Sequence, residues 1–136
     1  MRIMTAIVAT LLVAAPAIAA QPIAGRWITE DRAAEVEIGR CGTNLCGRII
    51  RIVTPTPGAP TTDVSNPDPA QRNKPILGLT ILTGFTDDGD DWRGRIYDPR
   101  KGKTYKSILT RQPNGTLKVQ GCIAFFCQTQ VWTRAN

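Results

Sequence analysis

Four cysteines stand at two identical spacings, Cys41-x4-Cys46 and Cys122-x4-Cys127, in a chain that contains no histidine. Thiols at such positions either hold a metal or close disulfides. Structural zinc usually recruits cysteine at C-x2-C type spacing or adds histidine, whereas four thiols in an exported chain normally become disulfides, so two disulfides are expected, with no metal and no cofactor. The missing histidine also removes the commonest general base and the usual activator of a serine or cysteine nucleophile. Ser65 and Ser107 are left without a base. The carboxylates Asp63, Asp68 and Asp98 remain as an acid–base set, yet no feature of the sequence separates their pKa values as that chemistry requires. Asp98, before Pro99, suits turn initiation instead. Asp87-Asp88-Gly89-Asp90-Asp91 gathers four carboxylates but lacks the D-x-D-x-D-G order and the closing glutamate of a calcium loop. It reads as a solvated turn. The residues point to a protein that is not an enzyme.

The elements that must position these residues are strands. Past residue 24 the chain runs as short segments rich in Ile, Val, Thr, Trp and Tyr, broken by Gly, Pro, Asn and Asp, which is an all-β pattern. Strands are expected near 25–30, 34–40, 46–53, 77–85, 92–98, 103–111, 115–122 and 127–134. Ala34, Val36 and Ile38 alternate with Glu35, Glu37 and Gly39, as half-buried strands do. Asn114-Gly115 accepts the two positive φ angles of a type I′ hairpin. Residues 54–74 carry five prolines and no alternation and form a long loop of the kind that is usually functional or disordered. Eight strands in succession predict an eight-stranded antiparallel up-and-down barrel, since closure removes the exposed edges.

Turns of such a barrel fall alternately at its two ends. Cys41 to Cys46, the acidic turn and Asn114-Gly115 share one compact end. The long loop, the 98–102 turn and Cys122 to Cys127 share the other, which is the expected mouth. Each cysteine pair brackets four residues and is expected to sit directly opposite across its hairpin.

The first residues form an export leader by pattern: Arg2 is its only charge, and residues 3–18 are apolar apart from Thr5, Thr10 and Pro16. Ala17-Ile18-Ala19 supplies small residues for cleavage after Ala19, with Ala20 as the next choice. The expected domains are a leader over 1–19 and a single barrel over 20–136, periplasmic or secreted and without a transmembrane anchor in the mature chain. The full chain has 17 basic and 11 acidic residues, so losing Arg2 leaves a net charge of +5. Export makes nucleic acid an unsuitable partner, and the basic residues form no run.

Gly25-Arg26-Trp27 opens the first strand and Trp132-Thr133-Arg134 closes the last. This resembles the calycin barrels, the lipocalin, fatty-acid-binding and avidin-like proteins, whose Gly-x-Trp packs beneath an arginine from the last strand. The resemblance implies that Trp27 and Arg134 seal one end through a cation–π contact. Five further segments are similar to a bacterial family of exported domains, the domain of unknown function numbered twenty-one forty-seven. They are Cys41-Gly42-x-x-Leu45-Cys46-Gly47, Asn66-Pro67-Asp68-Pro69, Gly78-Leu79-x-Ile81-Leu82-x-Gly84, Tyr97-Asp98-Pro99-x-x-Gly102-Lys103-x-Tyr105 and Gln130-x-Trp132-x-Arg134. That family implies a small exported lipocalin-like barrel and supplies no catalytic residues. Arg72, Tyr97, Lys103 and Tyr105, with Phe125 and Phe126 beside them, are the candidate contacts for a small hydrophobic or anionic ligand at the mouth. An envelope protein bound by a solid barrel is the alternative.

Overall fold

The computed structural model describes residue 3, residues 6–14 and residues 19–136. The expected cleavage motif lies partly outside the described residues, which exclude Ala17 and Ile18. Eight strands follow in chain order: β1 Gly25–Ile28, β2 Ala34–Cys41, β3 Asn44–Ile52, β4 Thr80–Asp87, β5 Trp92–Asp98, β6 Lys103–Arg111, β7 Leu117–Ile123 and β8 Phe126–Arg134. Each pairs antiparallel with the next, and β8 returns to β1 to close the barrel. A 3-10 turn, Pro69–Gln71, lies in the β3–β4 loop. No helix among the described residues is long and apolar enough to cross a membrane.

Period-two alternation sends one face of every strand inward. The core gathers Trp27, Val36, Ile38, Ile49, Leu82, Phe85, Leu109, Leu117, Val119 and Trp132, all buried. Outside the wall, the buried carboxylate of Glu35 is satisfied by Arg51, 2.7 Å away, and by Arg26, 3.7 Å away. Such pairing is what lets a charge lie under the surface.

Two turns depart from expectation. The β6–β7 connection is not a two-residue type I′ turn: Pro113 sits inside it, Gly115 N donates to Gln112 O at 2.9 Å, and only Gly115 has positive φ. Proline presets the second position of a type I turn and glycine takes the left-handed position after it. The β2–β3 turn is tighter than expected and consists of Gly42-Thr43 alone, so Cys41 faces Asn44 and Cys46 faces Gly39. The Cys41–Cys46 disulfide therefore crosses its ladder diagonally, with Cα atoms 5.7 Å apart, whereas Cys122 and Cys127 are true cross-strand partners. Both pairs are bridged and no free cysteine remains, the cysteine state of an extracytoplasmic protein.

Candidate functional site

The two ends of the barrel differ in what covers them. At the end holding the β2–β3, β4–β5 and β6–β7 turns, residues 20–24 cross the opening as a strap. Ile23 is fully buried beneath it. Trp27 Nε1 donates to Ile23 O at 2.9 Å, Trp92 Nε1 to Gln21 O at 2.9 Å, and Arg111 and Arg134 donate to Pro22 O and Ala24 O, each at 3.2 Å. Ala20 N donates to both carboxylate oxygens of Asp87, at 3.1 and 3.2 Å. The Arg134 guanidinium lies 4.4 Å from the Trp27 ring and that of Arg111 lies 5.5 Å from it. Gly25 precedes this cluster with a φ of 133°, a backbone conformation that favours glycine. The strap and Arg111 are not visible as site elements in the sequence, since residues 20–24 are too few to show a period.

The inner face of β5–β8 changes character toward the other end. Its deepest residues are Arg111, Leu117 and Trp132, followed by Trp92, Leu109, Val119 and Gln130. The next row is Gly94, Ser107, Gly121 and Gln128, in which three neighbouring strands contribute almost no side chain. The Phe85 ring fills the space over Gly94, its Cγ lying 2.7 Å from where a Cβ would be. Gly121 has no such cover, with Ile96 Cγ2 at 3.6 Å from its would-be Cβ. Ser107 is buried, and its Oγ has no hydrogen-bond partner. Beyond this row, Ile96 and Tyr105 face each other across β5 and β6, and Ile123 faces Phe126 across β7 and β8. Gln128, Ile123 and Phe126 belong to the inward register yet are exposed, so the barrel is open on this side.

The long loop is fastened to β5. Ile96 faces inward, so its neighbour Tyr97 faces the outer side of the wall, where the loop is buckled. The Tyr97 hydroxyl donates to Asp63 Oδ1 at 2.7 Å, and Asn66 Nδ2 donates to Asp63 Oδ2 at 2.8 Å. Asp63 is fully buried. Burial first, and the Asp63 carboxylate second, push the Tyr97 hydroxyl up to about 12. Gly102 in the β5–β6 turn completes the buckle, because a Cβ there would overlap the Ser65 carbonyl. Asp68 caps the 3-10 turn by accepting from Ala70 N, and Arg72 Nε donates to Asn66 O at 2.8 Å. The Asn66-Pro67-Asp68-Pro69 and Tyr97 to Gly102 segments thus meet in one structural clasp.

The four candidate contacts are thereby separated. Tyr105 and Lys103 share the inward register of β6 at the open end. Tyr97 is occupied by Asp63, and Arg72 lies on the loop surface. Gly121 and Gln128 carry no signal of their own in the sequence, and Ser107 appears there only as a serine without a base. Their signal was the alignment of two glycines and a serine across three strands, which only the register reveals. Among the described residues no cluster of metal-ligating side chains is present.

Comparison with known proteins agrees with this architecture. A solved structure of the Helicobacter pylori protein HP1028, described as belonging to the lipocalin family, superposes with a TM-score of 0.74 at 22% identity, covering 85% of this chain and 84% of that one. At that identity the likeness establishes the fold. No curated protein matches the chain in sequence. The family model described as an uncharacterised protein conserved in bacteria, DUF2147, matches residues 25–134, which is the whole span from the first residue of β1 to the last residue of β8. The chain belongs to that bacterial family, whose fold here is a lipocalin-like barrel closed by a strap at one end and open at the other.

Proposed function

We propose that the protein binds a small amphipathic molecule through the open end of the barrel, without transforming it. The observation that carries this reading is the row Gly94, Ser107, Gly121 and Gln128. Gly121 contributes no side chain to the inner wall and the buried hydroxyl of Ser107 opposite it is unpaired, while the space over Gly94 is taken by the Phe85 ring. Burying a polar group without a partner costs roughly 1–3 kcal/mol, a cost relieved by a ligand group or a water that bonds it. Ile96, Tyr105, Ile123 and Phe126 offer an apolar and aromatic entrance, and Lys103 at the rim suits an anionic end group. The carboxylates near this end serve other purposes, Asp63 in the clasp and Asp98 bonded to Arg100 N at 3.0 Å.

Saturation-transfer NMR with dodecanoate tests the reading. Wild type is expected to bind, Lys103→Ala to bind more weakly, and Gly121→Leu, which fills the recess from the wall, to lose binding while remaining folded. Binding unaffected by Gly121→Leu would place the ligand elsewhere.

We further propose export to the periplasm with cleavage after Ala19. The support is local: Ala20 N already addresses both oxygens of Asp87. Cleavage there turns an amide into an ammonium facing a carboxylate and strengthens the bond. Edman sequencing of protein recovered from the cell envelope is expected to begin at Ala20, and a start at Gln21 would contradict it.

A further inference from the structure

We propose that the outer wall of β5–β7, with the tip of the β7–β8 hairpin, docks the barrel onto an anionic phospholipid surface. Charge placement is the first support. From Trp92 to Arg134 the chain carries nine basic residues and one acidic residue, Asp98, whereas Ala20 to Asp91 carries seven basic and ten acidic. Because the strands lie side by side in chain order, this asymmetry along the sequence becomes an asymmetry in space. One half of the barrel is strongly basic, and the other is net acidic.

The basic half contains a site in which cations are left without partners. Arg93, Arg95 and Lys106 line a concavity of 620 Å³ together with Thr83, Ile108 and Ala124. Arg93 is held by Asp88 and Asp91. Arg95 and Lys106 sit directly opposite each other across β5 and β6, and among the described residues neither forms an ion pair. Like charges at opposed positions destabilise a strand pair. A phosphate between them reverses that sign.

The concavity runs directly into an apolar tip. Ala124 lines it and begins the hairpin turn, whose Phe125 is 100% exposed, Phe126 84% and Ile123 64%. The Cys122–Cys127 disulfide pins the base of this turn. A convex aromatic wedge beside unpaired cations has the composition of an interfacial anchor, with phenyl rings entering the acyl boundary and cations meeting headgroup phosphates. A free phosphate would satisfy Arg95 and Lys106 and leave Phe125 in water. An uncharged apolar partner would leave the cations unpaired.

Vesicle flotation of the Ala20–Asn136 chain tests the proposal. Its barrel closes on itself, and omitting the apolar leader removes a competing anchor. The protein is expected to float with phosphatidylcholine vesicles containing phosphatidylglycerol and not with phosphatidylcholine alone. Arg95→Ala with Lys106→Ala should weaken binding about thirty-fold, two cations near the surface being lost. Phe125→Trp should show a blue-shifted emission on the anionic vesicles only. These positions are exposed, so folding is not at risk, and dodecanoate uptake unchanged in the double variant separates this surface from the barrel interior. No binding to anionic vesicles, equal binding to both kinds, indifference to the double variant, or displacement by inorganic phosphate at constant ionic strength would each overturn it.

Discussion

Aromatic rings and cations occur together at both ends of this barrel, in opposite arrangements. At the strapped end Trp27 and Trp132 are buried, Trp92 is tied to the strap, and two guanidinium groups flank the Trp27 ring. At the open end Phe125 and Phe126 stand in solvent, Tyr105 lines the entrance and Lys103 has no ion-pair partner among the described residues. What separates them is covering chain. Five residues before β1 supply backbone carbonyls to Trp27, Trp92, Arg111 and Arg134, while the much longer loop after β3 is buckled to Tyr97 through Asp63.

Breaking the strapped end at its centre should have the largest effect. Trp27→Ala removes a fully buried indole and its bond to the strap, and is expected to cost about 3–5 kcal/mol in urea unfolding. A cost below 1 kcal/mol would mean that this end is not the stability centre. Next is the clasp. Tyr97→Phe leaves the buried Asp63 carboxylate short of a donor, with an expected loss of about 1–3 kcal/mol and faster hydrogen exchange at the Asp63 and Asn66 amides.

The same residue makes the clasp dependent on pH. The folded protein holds the Tyr97 proton up to about 12, against about 10 for a free tyrosine. Its contribution is complete below about 10 and is lost as pH rises from about 10 to about 12, because the folded state binds the extra proton there. Tyr97→Phe should lack this part of the alkaline destabilisation. A wild-type and variant difference that stays constant across that window would contradict the clasp.

Smaller effects sharpen the contrast further. Arg134→Ala should cost about 1–2 kcal/mol through the lost cation–π contact and shift Trp27 emission, whereas Lys103→Ala at the open end should leave stability within about 0.5 kcal/mol. Asp87→Asn in the chain beginning at Ala20 is expected to cost about 1 kcal/mol, seen as a lower melting temperature. No loss in Asp87→Asn would mean that Asp87 does not hold the strap.

The barrel was legible in the sequence because alternation along β2 and β7 and the turn residues between strands are local signals. The face taken by Tyr97 was not legible. Tyr97 and Tyr105 look equivalent until the register pairs Tyr97 with Thr104, which puts the two phenols on opposite sides of the wall. That register depends on the length of the 98–103 turn, a property of the backbone. The small-residue row depended on the same information, since Gly94, Ser107 and Gly121 become neighbours only through pairing. The strap, five residues without periodicity, carries no local signal at all. The excess of basic residues after Trp92, by contrast, was present in the sequence throughout. It acquires meaning only once β5 to β8 are known to be adjacent.

The open barrel is the central claim, and a crystal grown with a terminally brominated alkanoate tests it most directly. Anomalous bromine density is expected inside the wall, between Gly121, Ser107 and Gln128, with the carboxylate toward Lys103. Bromine found only outside the barrel, or no bromine at saturating ligand with the inner row closed over, would contradict it.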